Sequence, residues 1–194
     1  MTELPFNLFD IFLVAVLAAG IMRGRKRGLS NELVSLAKWV TLLFGCALIY
    51  QPAGNLVAGA GLFNLLTAYL FAYLGAALAI FLLFRVLERR WAPKLVGSDI
   101  FGRGEYFLGM GSGMLRFACI LLISLSLLNA REFTPADLKA MDQYQEEAYG
   151  THIFPGLHSL QSQVFEKSLL GPYIKDDLGF LLITPTELER TPHQ

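Results

Sequence analysis

No charged residue occurs between Trp39 and Phe84, a run of 46 residues. A soluble helix keeps a polar face toward water, and a pair this long without charge has nowhere to be solvated. A bilayer span needs only about 20 mostly apolar residues. The run therefore reads as parts of two transmembrane helices. Gln51 to Asn55, "QPAGN", is the expected turn between them, because proline and glycine punctuate helices.

The rest of the chain fits the same environment. Of its 194 residues 54% are hydrophobic and 16% charged, against about 25% charged in ordinary soluble domains. Sixteen cations balance sixteen acids, so net charge points to no nucleic-acid partner. The distribution is uneven. Residues 1–130 carry eleven cations and six acids, and residues 131–194 carry five cations and ten acids. The expected class is all-α. Residues 1–130 form an integral membrane bundle of four transmembrane helices, and residues 131–194 an acidic extracytoplasmic tail with short amphipathic helices.

The four spans are expected from Leu4 or Leu8 to Met22, from Leu29 or Leu33 to Tyr50, from Leu62 to Phe84, and from Tyr106 to Leu128. Gly59 and Gly61 mark a short surface or re-entrant piece before the third. Cations in short loops set orientation. The first loop holds Arg23, Arg25, Lys26 and Arg27, the second holds none, and the third holds Arg85, Arg89, Arg90, Lys94 and Arg103. Loops one and three are therefore expected in the cytoplasm of the cell, and both termini outside it. A cleaved signal peptide has its cations first and small residues after the apolar core. Here the order is reversed, so the first span reads as retained. Its cationic cluster anchors the inner end and also suits anionic lipid headgroups.

Charges inside the spans are the candidate functional residues. Asp10 sits near the outer end of the first span. One reading is a carboxylate held by first-turn amides; the other is a proton- or ion-responsive acid facing the bundle interior. Arg116 lies near mid-depth of the fourth span, where a cation costs about 2.5–3.5 kcal/mol on insertion scales and must face protein or water. Asp10, Glu105 and Glu32 are its possible partners. Lys38 is close enough to the inner end to snorkel. Gly20, Gly24 and Gly28 repeat every four residues, and Gly109 and Gly113 form a second such pair. Apolar burial does not drive helices together in lipid, so spacing of this kind predicts close backbone packing or oligomerisation.

No motif for catalysis is present in the sequence: there is no HExxH, Walker loop or GxSxG. His152, His158 and His193 all fall in the tail, and Cys46 and Cys119 fall inside spans as small packing residues. No cofactor or metal is expected. In the tail, Thr134-Pro135-Ala136-Asp137 reads as a helix start with Thr134 as N-cap. Leu157, Leu160, Val164 and Phe165 recur at helical spacing. Leu178 to Ile183 is apolar but too short to span. These segments are expected to lie on the membrane surface or pack on the bundle, with fraying from about Glu187.

The stretch "NLFDIFLVAVLAAGIMRGRKRGLSNELVSLAKWV" resembles the opening of the colicin V production protein (CvpA) family, through Asp10, Gly24 and Gly28 with basic residues between them, Glu32, and the apolar helix that follows. "FLGMGSGMLRFACILLISLSLL" is similar to a second family block, with Gly109, Gly113 and Arg116 in a Gly-xxx-Gly-xx-Arg pattern. The likeness covers about residues 5–130. Two positions depart from it. Glu105 and Tyr106 stand where the family commonly has an Asp-Arg pair, with Asp99 and Arg103 slightly earlier. Phe117 stands where a glycine is usual. The resemblance implies a small bacterial inner-membrane protein associated with producing or exporting the toxin colicin V. It also implies a broader part in envelope maintenance, since the family is widespread in bacteria without that toxin. The expected function is a non-enzymatic one exercised through contacts with the bilayer, with copies of itself or with other membrane proteins. The alternative is an oligomeric transporter or channel using Asp10 and Arg116.

Overall fold

The computed structural model describes residues 7–61, 63–95, 104–134, 137–138 and 156–187. Four long helices dominate: α1 (Leu8–Arg27), α2 (Leu29–Gly59), α3 (Leu65–Leu95) and α4 (Glu105–Asn129). A two-residue strand β1 (Arg131–Glu132) follows α4. The tail adds α5 (Leu157–Phe165), α6 (Gly171–Asp177), a 3-10 turn over Gly179–Leu181, and β2 (Thr186–Glu187), which pairs in parallel with β1. The protein is an all-α membrane bundle. Helices over Glu32–Gly59, Leu65–Arg90 and Glu105–Asn129 are long and apolar enough to cross a bilayer. The fourth long helix, α1, carries Asp10 in its first turn and Arg25, Lys26 and Arg27 in its last.

The helices lie in the order α1, α4, α2, α3, each packed chiefly on its neighbour. Apolar side chains cover the outer faces, including Ile11, Phe12 and Val14 of α1 and Phe71, Leu74 and Leu78 of α3. In water such a surface would drive aggregation; in lipid it is the solvated face.

Three boundaries differ from the sequence expectations. The cationic cluster is not a loop. It closes α1, where cations complement the partial negative charge of a helix C-terminus, and Gly28 alone joins α1 to α2. Its φ of 71° and ψ of 166° belong to a region open to glycine and costly for other residues. Gln51 to Asn55 is not a turn. Pro52 lies inside α2, which is tolerated in membrane helices where neighbours take up the freed carbonyl. Gly54 lets Tyr69 of α3 press against this stretch, and the Tyr69 hydroxyl donates to Asn55 Oδ1 at 3.0 Å. The chain turns instead at Ala60 and Gly61 (φ 71°), and Asn64 caps α3 by accepting from Thr67 N at 2.9 Å. Finally, Arg85, Arg89 and Arg90 extend α3 rather than forming a loop. Met1 to Phe6, Leu62, Asp99, Arg103, Pro135, Ala136, His152 and residues 188–194 lie outside the described residues.

Candidate functional site

The site forms where α1 crosses α4. Helices running antiparallel bring Gly20 beside Gly113 and Gly24 beside Gly109. A Cβ at Gly109 would stand 2.6 Å from the Gly24 carbonyl oxygen, and one at Gly20 would stand 2.9 Å from that of Gly113. Added methyls at Gly24 and Gly113 meet backbone oxygens at shorter range still. Backbone cannot move aside as a side chain can, so these glycines set the interaxial distance. Gly28 continues the contact to Gly109, and a Cβ there would also lie 2.8 Å from Glu105 Oε1. The Glu105 carboxylate accepts from Ser30 N at 3.4 Å, closing the α2 N-terminus.

This close crossing leaves α4 free to present Arg116 to α2. Helix side chains tilt toward the N-terminus of their own helix, and Arg116 therefore extends toward the end where α1 meets α2. There its guanidinium donates to Glu32 Oε2. Glu32 has 0% of its surface exposed and Arg116 6%. The Arg27 guanidinium stands 3.6 Å from Glu32 Oε1. Of the three acids considered as partners for Arg116, the structure selects Glu32. Arg116 Nε makes no hydrogen bond, but the guanidinium stands 5.1 Å from the centre of the Phe117 ring. The aromatic that replaces the usual glycine thus faces the cation. Ser112 is satisfied locally, donating to the Gly109 carbonyl at 3.0 Å.

Asp10 belongs to a different site. By the α1–α4 register, Arg116 lies level with about Leu17, roughly 10 Å along the axis from Asp10. The Asp10 carboxylate accepts from Asn7 N at 3.0 Å, Leu169 N at 3.1 Å and Leu170 N at 3.4 Å. It closes a capping box with Asn7 and ties the tail to α1. Asn7 Nδ2 also donates to Gln163 O at 2.9 Å.

The tail is part of this end of the bundle. Residues 181–183 enter between the helices, and Ile183 is 0% exposed among Leu42, Cys46, Tyr50, Leu66, Tyr73 and Ala130. Its amide donates to Ser126 Oγ, and its carbonyl accepts from Asn129 Nδ2, both at 3.0 Å. Thr184 N donates to the Tyr50 hydroxyl at 3.1 Å. Leu181 reaches further, toward Leu43 and Cys119. Non-helical backbone at membrane depth is tolerated only when buried in protein and fully partnered, and the Ser126–Asn129–Tyr50 trio provides that. Replacing Ile183 with Asp should therefore undock residues 178–187, read as new protease cleavage there in detergent-solubilised protein; unchanged resistance would contradict the docking.

Several of these partners had no sequence signal. Ser126 and Asn129 look like ordinary polar residues at the end of a span, although their i, i+3 spacing puts them on one face. Lys38 does more than snorkel: Nζ pairs with Glu88 Oε1 at 2.8 Å and stands 5.3 Å from the Phe81 ring centre. The Thr134 N-cap is present, with Asp137 N donating to Thr134 Oγ1 at 3.3 Å. Cys46 and Cys119 are buried thiols in packing positions.

Two buried polar sites hold this bundle together, one an ion pair and the other a carboxylate held by backbone amides. Arg116–Glu32–Arg27 is the one near the α1–α2 junction, and Asp10 with the tail is the one at the opposite end. The residues of the former are those of the glycine-basic and Gly-xxx-Gly-xx-Arg blocks. Neither a curated protein nor a solved structure matches the chain. The family model described as colicin V production protein matches residues 9–154, further into the tail than the 5–130 expected, and the chain belongs to that family.

Proposed function

We propose that this protein is a non-enzymatic component of the bacterial inner membrane that assists production or secretion of a colicin V-like toxin, or envelope homeostasis, through contacts with other membrane proteins or copies of itself. The observation carrying this reading is the family match over residues 9–154. The geometry supports a scaffold: the mid-depth cation is neutralised by a fully buried carboxylate, which fastens α4 to α2. In this reading α1 is a fourth crossing, its cationic end lies in the cytoplasm, and both termini lie outside. Reporter fusions near Gly61 and after Gln194 should score external and one near Lys94 cytoplasmic; an external Lys94 fusion would invert the scheme. Deleting the gene should alter toxin release or sensitivity to envelope stress. No change in either would remove the proposal.

The alternative is an oligomeric transporter or channel. It requires Asp10 and Arg116 to share a polar path, whereas each is engaged by separate partners about 10 Å apart along the axis. Flux in reconstituted vesicles that is lost in both Asp10→Asn and Arg116→Leu would favour it over the scaffold.

A further inference from the structure

The same glycine crossing that joins α1 to α4 creates a groove beside it. Where two backbones touch, the longer side chains on either flank stand apart. On one flank are Arg25 and Lys26, from the last turn of α1. On the other are Tyr106, Phe107 and Met110, from the start of α4. These five residues line a groove of about 530 Å³, room for on the order of fifteen to twenty waters and far more than a bare phosphate fills.

Its chemistry is divided. Arg25 and Lys26 are exposed, and among the described residues no carboxylate lies within 4 Å of either. The α4 N-terminus lies at the same end, and the positive end of its dipole favours an anion there. Glu105, the acid of that first turn, is turned away toward Gly28 and Ser30 of α2. Below the charges, Phe107 and Met110 give an apolar wall, and Tyr106 is an amphipathic residue suited to the membrane interface. Cations above and grease below match a molecule with one anionic end and a long apolar one. Basic pockets between membrane helices on the cytoplasmic side take anionic headgroups for this reason.

We propose that this groove binds an anionic phospholipid, its phosphodiester against Arg25 and Lys26 and an acyl chain along Phe107 and Met110. The proposal needs the membrane placement of the bundle and is independent of the toxin or envelope role.

The test is lipid retention by the full chain purified in detergent, measured by native mass spectrometry during titration with phosphatidylglycerol, phosphatidylcholine or soluble glycerol phosphate. Phosphatidylglycerol should be retained in preference to both others. The double variant Arg25→Gln/Lys26→Gln should weaken it about 25-fold, a factor of about 5 for each cation lost near the membrane surface. Met110→Trp, which keeps every charge and fills the groove, should weaken it as well. Arg85→Gln/Arg89→Gln, two exposed cations at the same end on α3, should change it less than about 2-fold. Equal loss in the α3 pair would reduce the effect to general charge and overturn the site. So would equal retention of phosphatidylcholine or glycerol phosphate, or unchanged binding in Met110→Trp.

Discussion

Glu32→Leu should destabilise the bundle by about 3–5 kcal/mol, Arg116→Met by less, and the two together by less than Glu32→Leu alone. Glu32→Leu strands the Arg116 charge where no water reaches it, Arg116→Met leaves Glu32 with Arg27 at 3.6 Å, and removing both leaves an apolar contact between α2 and α4 that often costs nothing. Arg27 does not spoil the double variant, because its side chain is 45% exposed and can turn to solvent. Thermal unfolding in detergent reads the result: a fall of about 10 °C for Glu32→Leu at ~2–4 °C per kcal/mol, a smaller fall for Arg116→Met, and near-recovery in the double. Additive losses would mean that the two residues do not act as a pair. Complementation of a deletion strain by the double variant then separates structure from function. A stable double variant that restores the phenotype marks the pair as a fastening; a stable one that does not restore it would mean that the charges themselves are used.

The second large effect lies within a single helix. Gly109→Ala and Gly113→Ala should each cost at least about 2 kcal/mol, since the new methyl meets the Gly24 or Gly20 carbonyl oxygen and the helices must part. Gly111→Ala, between them, has nothing within 4 Å of its added carbon. It should be neutral or stabilise by up to about 1 kcal/mol, because alanine is the better helix former. Gly75→Ala of α3 is open in the same way and should behave like Gly111→Ala. Equal effects at positions 109, 111 and 113 would show that α1 and α4 do not meet along this face.

The bundle was legible in the chain because the 46 uncharged residues leave no solvent but lipid for two helices. The glycine spacings were legible for a related reason: only small residues let membrane helices approach, so their repeat marks a contact face. Which acid meets Arg116 was not, because Asp10, Glu32 and Glu105 differ in depth and rotation about their helices, which one-dimensional spacing does not encode. Pro52 misled in the other direction. In water it would end a helix, but near the end of a packed membrane helix its cost is met by neighbours. The tail was least legible. Leu178 to Ile183 is too short to span, and Ser126 and Asn129 of α4 with Tyr50 of α2 explain how its backbone is accommodated.

The link from Asp10 to Leu169 joins residues 159 positions apart, and it has a bearing on biogenesis. As the polypeptide emerges from the ribosome, all four long helices are made before the segment that locks the Asp10 end of the bundle. Until that segment arrives, the Asp10 carboxylate must be hydrated, along with Tyr50, Ser126 and Asn129. A newly inserted bundle is therefore an open vessel, and the chain closes it only with residues translated after all four long helices.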